Sequence, residues 1–424
     1  MSKAHKVESG DTLGAISIKY LGSFSNWKKI IAANPQLAGR KTAPDGSPLI
    51  FPGDILVIPD EDKSEVPPAP QTKTITLSGD AADVSIVIDG YEFKGFTAYE
   101  INLNYDCLDS FSFTAPLDIA SKEIAEALEP FAFKTCDIYY EGELLLKGTL
   151  LTPDPQLTGE ATEINFQGYP LCGILNDCTI PLAEYPAEYS DLDIKEIAVP
   201  IGESLGITVL FEGNTGEPFT KVSIEPTEKI LDFLVKLSKQ RDLIFTNDEK
   251  GRLLFFKHKD KKAFANFEQG KKPLLEIRPK FKAQEFFSHI IGFSKSDADH
   301  ECEQFIYENQ YLIGKGITRC KTIIVDDAEE SDLEASVKAY AGRMFADCVS
   351  FELDCHGHKN ADKKVFKKGM TVCVKAPGAM IRKETNFIAK NIKLKRDTSG
   401  NSTTMTLILP GSYSGDIPGV MPWE

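Results

Sequence analysis

At 424 residues, the chain exceeds the roughly 250–300 at which one hydrophobic core stops growing, so several domains are expected. Hydrophobic content of 42% and charged content of 26% are ordinary globular values, and a net charge of −15 argues against a surface built to coat nucleic acid. The charge is uneven: residues 1–60 hold seven Lys/Arg against five Asp/Glu, leaving 41 basic against 58 acidic residues in the rest. No stretch approaches the roughly 18 apolar residues of a membrane span, and the N-terminal MSKAHKVESGDT lacks the apolar region of a secretory signal. Nine cysteines without a CxxC pair read as reduced thiols, not as a disulfide framework.

In chain order, Asp11 or Thr12 can cap a first helix carrying Leu13, Ile16 and Tyr20 at helical spacing. Trp27, Ile30 and Ile31 give a second helix an apolar face, and Pro35 stops it after Asn34. Pro52-Gly53-Asp54 is turn chemistry before an apolar strand at 55–58. Residues 61–72, EDKSEVPPAPQT, are charged and Pro-rich and read as a semi-extended tether.

From Lys73 onward strand signals dominate. Hairpins are predicted at Asp89-Gly90, Glu141-Gly142, Asn247–Gly251 and Thr398–Asn401, a density that indicates β-barrel or sandwich units. Helices are predicted at 121–131 and around Leu192, Ile194, Ile197 and Ile201, the latter bent at Pro200. A third, over 227–241, carries Ile230, Leu234 and Leu237 on one face, with Leu231 and Val235 beside them. The fourth, over 331–345, opens with a capping box from Ser331 to Glu334 and places Leu333, Val337, Tyr340 and Met344 on one stripe. Each stripe is read as core packing.

The first sixty residues, HKVESGDTLGAISIKYLG through WKKIIAANPQLAG to PLIFPGDILVIP, resemble a LysM domain, the small βααβ module that grips peptidoglycan or chitin. By that resemblance a glycan groove would be formed by Gly10, Asp11, Thr12 and Leu13 on one wall and Asn34, Pro35, Leu49 and Ile50 on the other. Residues 39–48, GRKTAPDGSP, lengthen the second wall and depart from a typical groove.

Residues 73–424 resemble the baseplate hub family of contractile phage tails, the Mu-type hub and the late control hub of P2-like phages. Four ordered segments carry the resemblance. They are FQGYPLCGILNDCTIP at 166–181, helix 227–241 with the hairpin RDLIFTNDEKGRLLFFK, the stretch 340–378 with its Gly-His and Gly-Met turns, and FIAKNIKLKRDTSGNSTTMTLILPGSY. The N-terminal module is similar to the small LysM-like tail protein X of P2-like phages, as though the two were fused.

The fold class so implied is α+β and β-rich, a LysM domain followed by a multi-domain hub with two β-barrel-like units and an α/β insert. The expected boundaries are 1–60 for the LysM-like domain, 61–72 for the linker, 73–185 for the first barrel-like unit and 186–275 for the insert. The second barrel-like unit follows at 276–410, with a tail at 411–424. The resemblance implies a homotrimer that joins a tail tube protein to a central spike protein amid baseplate wedge proteins. It would be assembled in the host cytoplasm and reach an envelope as part of a particle. The LysM module would dock on tail parts or contact peptidoglycan. The resemblance implies no cofactor, no catalytic residue and no sequence-specific nucleic-acid binding.

Two further chemistries have partial support in the sequence. Cys355-His356-Gly357-His358, with Cys348 and Cys373 nearby, has zinc-type ligands. Strand alternation puts His356 and His358 on one face, away from Cys355, and the segment is read as a structural turn. A LysM-anchored cell-wall hydrolase is the alternative of a different class. It would need a general-acid Glu near a second carboxylate, and neither HExxH nor Gly-x-Ser-x-Gly occurs. The histidines His5, His258, His289 and His300 stand alone in strand or loop sequence.

Overall fold

A computed structural model describes residues 3–7, 13, 16–17, 20, 30–31, 33–37, 40, 48–58, 73–81, 83–116, 126–157, 162–259, 261–294, 302–325 and 333–424. The chain divides into two compact units, Met1–Thr72 and Lys73–Glu424. The tether at 61–72 and the start of the helix predicted at 121–131 lie outside the described residues, as do Trp27, Ser331 and His300.

In the first unit, strand Lys3–Lys6 pairs antiparallel with Ile55–Ile58, Lys6 opposite Ile55 and Lys3 opposite Ile58. Alternation along Ile55–Ile58 buries Leu56 and Ile58 and leaves Ile55 and Val57 outside. Leu13, Ile16 and Ile30 are helical, and among the described residues they pack with Val7, Leu37, Leu56 and Ile58 in one apolar core.

The second unit is α+β and β-rich. Its main feature is a sheet with fourteen strands among the described residues. The Asp89-Gly90 and Glu141-Gly142 turns have both central residues at positive φ (49° and 83°, 46° and 84°), the two-residue geometry that matches the natural twist of paired strands. They join Val84–Ile88 to Tyr91–Lys94 and Thr135–Tyr140 to Glu143–Leu157. Ile381–Asp397 and Gly400–Ile408 form the last hairpin. Strand Ile381–Asp397 also pairs with Ala98–Asn104, from Arg396 opposite Tyr99 to Asn391 opposite Asn104, and so fuses the early and late strands into one sheet. Beneath them lies one shared core in which the Phe113 ring sits 4.9 Å from Phe96 and stacks at 5.7 Å on Phe166.

Between the two strand sets the chain builds a lobe with its own core. Helix α1, Ile194–Ser204, is capped by Asp193, whose carboxylate accepts from Glu196 N at 2.8 Å while Glu196 returns to Asp193 N at 3.0 Å. It continues through Pro200. Helix α2, Ile230–Gln240, buries Ile230, Leu234 and Leu237, the face its spacing predicts. Strands Val209–Glu212, Leu253–Phe256 and Ile244–Asn247, the first pair parallel and the second antiparallel, form one small sheet of the lobe, and Glu188–Leu192 pairs with Phe219–Ser223 in another.

A second excursion holds strands His289–Ser294, Gln304–Glu308 and Cys320–Val325, with the first in the middle, and the short helix α3, Gln310–Gly314. Helix α4, Leu333–Cys348, covers one face of this small sheet, and Gly292 leaves room there for Val337. Residues 411–424 fold back on the body: Trp423 donates to the Tyr311 hydroxyl at 3.0 Å and packs edge-on to Phe281 at 5.1 Å.

Candidate functional surfaces

Of the residues expected to form a glycan groove, Gly10, Asp11 and Thr12 lie outside the described residues. Leu13 is a core residue, Ile50 packs against that core, and Leu49 is exposed. Pro35 opens a short helical turn, Pro35–Leu37. Asn34 is fully buried, and its amide donates to Ile30 O (2.6 Å) and Val57 O (2.7 Å) and accepts from Val57 N (2.8 Å) and Gln36 Nε2 (2.9 Å). Those four bonds use the donors and acceptors an asparagine side chain has, so Asn34 stitches the second helix to strand Ile55–Ile58.

Arg40 binds Asp54 in a fork (2.5 and 3.2 Å), and Asp54 also caps Phe51 N at 2.9 Å. The guanidinium bond, then the Phe51 amide, hold the Asp54 carboxyl below its ordinary range. This pairing holds the loop bearing Leu49 and Phe51. Phe51, Ile55 and Val57 are exposed at 56, 63 and 40%. The sequence reading passed over them, although the alternation in ILVI puts Ile55 and Val57 on the face opposite the core.

On the body, strand alternation gives the outer face of the main sheet an ion-pair lattice. Arg278 reaches Glu276 (2.5 Å), Glu352 (2.6 Å) and Asp354 (2.7 Å), Lys280 pairs with Glu352, and Lys393 pairs with Glu100 at 3.0 Å. Thr404 donates to Asp354 at 2.6 Å. Hydrogen bonds from Lys280 and Arg278 hold the Glu352 carboxyl low. The face is polar, with charges matched across strands.

The lobe is joined to the sheet by a buried polar knot. Asp109, 3% exposed, accepts from Lys368 Nζ (2.7 Å), Asn247 Nδ2 (2.8 Å) and Asn104 N (2.6 Å), while its own N donates to Asn247 Oδ1 (2.8 Å). Lys368 also donates to Thr246 Oγ1 at 2.9 Å, and Thr246 donates to Asn104 O at 2.6 Å. Three segments far apart in sequence are thereby locked together.

The Cys355–His358 segment departs from the alternation argument. Strand Val349–His356 ends at His356, and Gly357 at φ 70° reverses the chain. His356 is therefore exposed while His358 is buried, so the two do not share a face. Thr403 spends its proton on Gly357 O (2.6 Å), so it accepts from His358 Nδ1 at 2.8 Å, and Nε2 is left to accept from the Tyr99 hydroxyl at 3.0 Å. Both ring nitrogens are taken. Burial pushes the imidazole pKa down to about 4 and the Cys355 thiol up to about 12. Of the other histidines, His5 lies 3.2 Å from the Tyr20 hydroxyl, His258 lies 3.0 Å from that of Tyr105, and His289 meets Ser288 at 2.8 Å.

With this geometry in view, the comparisons divide as the molecule does. Residues 5–59 match the LysM domain model. Residues 172–257, the lobe with its own core, match the second domain of gp44-like baseplate hub proteins. The body is similar to a phage baseplate hub. The baseplate hub protein gp44 of Escherichia phage Mu is 20% identical over 336 residues, spanning 76% of this chain and 87% of gp44. Among solved structures, the 43 kDa tail protein of prophage MuSo2 from Shewanella oneidensis matches with a TM-score of 0.67 and 18% identity, over 78% of this chain and 99% of that one. A tail protein from Neisseria meningitidis MC58 matches with a TM-score of 0.65 and 16% identity, over 80% and 99%. The fold is thus that of Mu-type tail proteins, with a LysM domain in front.

Proposed function

We propose that this chain is a structural baseplate hub of a contractile phage tail or phage-like injection device, and not an enzyme. The observation that carries the reading is the similarity to the Mu hub over 87% of that protein's length, with the hub-type second domain coinciding with the separately cored lobe. In this reading three copies close into a ring that adapts the tail tube above to the central spike below, with wedge proteins around it. A three-membered ring has heterologous contacts, so each subunit offers two different surfaces. The polar sheet face, its charges already paired, suits a water-facing wall that neither holds nor repels a passing polyanion strongly.

The LysM unit is the docking module. Its exposed Phe51, Ile55 and Val57 form an apolar face of the kind that marks an interaction site, and a protein surface of the tail is the partner proposed for it. Light scattering of the purified chain tests the ring: three copies of 46.8 kDa give about 140 kDa, whereas a monomer in the presence of tube and spike proteins contradicts it. Zymography on peptidoglycan is expected to show no clearing; a cleared band would make the chain a hydrolase. Ile55→Thr with Val57→Thr is expected to leave pull-down on insoluble peptidoglycan unchanged and to weaken capture by tail proteins. The reverse pattern would make the unit a wall binder.

A further inference from the structure

Residues 411–424 lie on the body in two anchored pieces. The first, 411–417, crosses α4 at close range. A Cβ on Gly342 would stand 2.6 Å from Ser412 O, and one on Gly415, at φ 77°, would stand 2.6 Å from Lys338 O. Glycine weakens a helix interior, and at position 342 it makes room for this crossing. Ser412 is buried, Tyr413 packs edge-on to Tyr105 at 5.5 Å, and Gly415 O accepts from the Tyr307 hydroxyl at 2.7 Å.

Gly419 and Val420 then stand in solvent, Val420 at 67% exposure. The second piece, 421–424, returns to the body. Met421 enters the shared core, and Pro422 O accepts from Arg382 N at 3.0 Å. The Trp423 ring lies edge-on to both Phe281 (5.1 Å) and Tyr311 (6.3 Å), with its N–H on the Tyr311 hydroxyl, and Glu424 meets Lys315 at 2.9 Å.

What the second piece grips has little support of its own. Helix α3 spans five residues and has no side-chain cap from Asn309; isolated helices are marginal below about 12–15 residues. Its one buried residue is Leu312. Strand Gln304–Glu308, which leads into α3, is an edge of the small sheet among the described residues. On the face of that sheet away from α4, Ile306 lies opposite Ile291 and Ile324 opposite Phe293, at 49 and 66% exposure.

We propose that residues 421–424 are a clamp that sets the pose of the second excursion, and that local opening of this clamp frees α3 and strand Gln304–Glu308 as a unit while the lobe and the main sheet stay folded. The exposed span at Gly419 and Val420 separates the two anchors, so the outer one opens without the inner one. Proteins open in such contiguous units at free energies below that of global unfolding. The clamp thereby fixes how the apolar face bearing Ile306 and Ile324 is held out from the body. It is internal to one copy and independent of the hub reading.

The test is amide hydrogen exchange, read by mass spectrometry, on the full-length wild type, Trp423→Ala and Tyr311→Phe. Trp423→Ala is expected to speed exchange across residues 304–316 by about tenfold or more, with α2 and strand Gly400–Ile408 unchanged. Tyr311→Phe, which keeps the ring and loses the hydroxyl, is expected to speed the same residues by less. Unchanged exchange at 304–316 in both variants overturns the proposal. So does an equal acceleration in α2 and Gly400–Ile408, which would make the segment part of the global core. Should Trp423→Ala fail to fold, Tyr311→Phe decides between the same outcomes.

Discussion

Two regions of the body bring acids and bases together, with different consequences. At the junction of lobe and sheet, Asp109 and Lys368 have side chains 2 and 17% exposed, and every polar atom of the knot has a role in its geometry. On the outer sheet face, Arg278 contacts three carboxylates with its side chain 41% exposed, where water and salt compete for each contact. The comparison teaches that the number of ion pairs says little about their weight: burial decides. The buried pair specifies how the lobe sits on the sheet, and the exposed lattice keeps a broad strand face wet and unattractive to other proteins.

The strongest way to break this contrast is Lys368→Met. It leaves Asp109 buried beside apolar atoms, and a loss of about 3–5 kcal/mol in urea unfolding is expected; a loss below about 1 kcal/mol would put the two regions on a par. Next comes acid titration. His358 is neutral in the folded state, with its pKa depressed from 6.5 to about 4, so the unfolded chain binds the extra proton first. Stability is complete above pH 6.5 and falls by about 3 kcal/mol as pH drops toward 4. His358→Gln is expected to flatten that slope between pH 6.5 and 4, and an unchanged slope would mean other groups carry it. The smallest effect belongs to Arg278→Gln, under about 1 kcal/mol and smaller still in high salt. A larger, salt-independent loss would show that the lattice behaves as a buried network.

Local chemistry was legible in the sequence. The Asp89-Gly90 and Glu141-Gly142 turns, the apolar face of α2 and the stripe on α4 follow from residue spacing alone, and the structure has them in place. The capping box of α1 is written as Asp193 followed by Glu196, yet an acidic pair three positions apart is too common in so acidic a chain to single it out. Non-local features were out of reach. Strand Ile381–Asp397 reaches Ala98–Asn104 across some three hundred residues, and the Asp109–Lys368 knot is similarly distant; no spacing rule connects such positions. The small sheet at His289–Val325 was missed because its middle strand, HIIGFS, is short and carries a glycine that only the packing of Val337 explains. His358 misled the alternation argument because Gly357 takes a left-handed conformation just where the strand ends. Among the expected groove residues, Asn34 follows from its place in the LysM-like motif, and its side-chain amide is engaged by backbone groups of its own unit.

Labelling of intact particles tests the central claim most directly. Tail-like particles purified from the producing cells, decorated with antibody against residues 73–424 and imaged by electron microscopy, should carry the label at the distal end of the tube, with about three copies per particle by quantitative mass spectrometry. Particles that lack the chain, or carry it along the length of the tube, would contradict a hub.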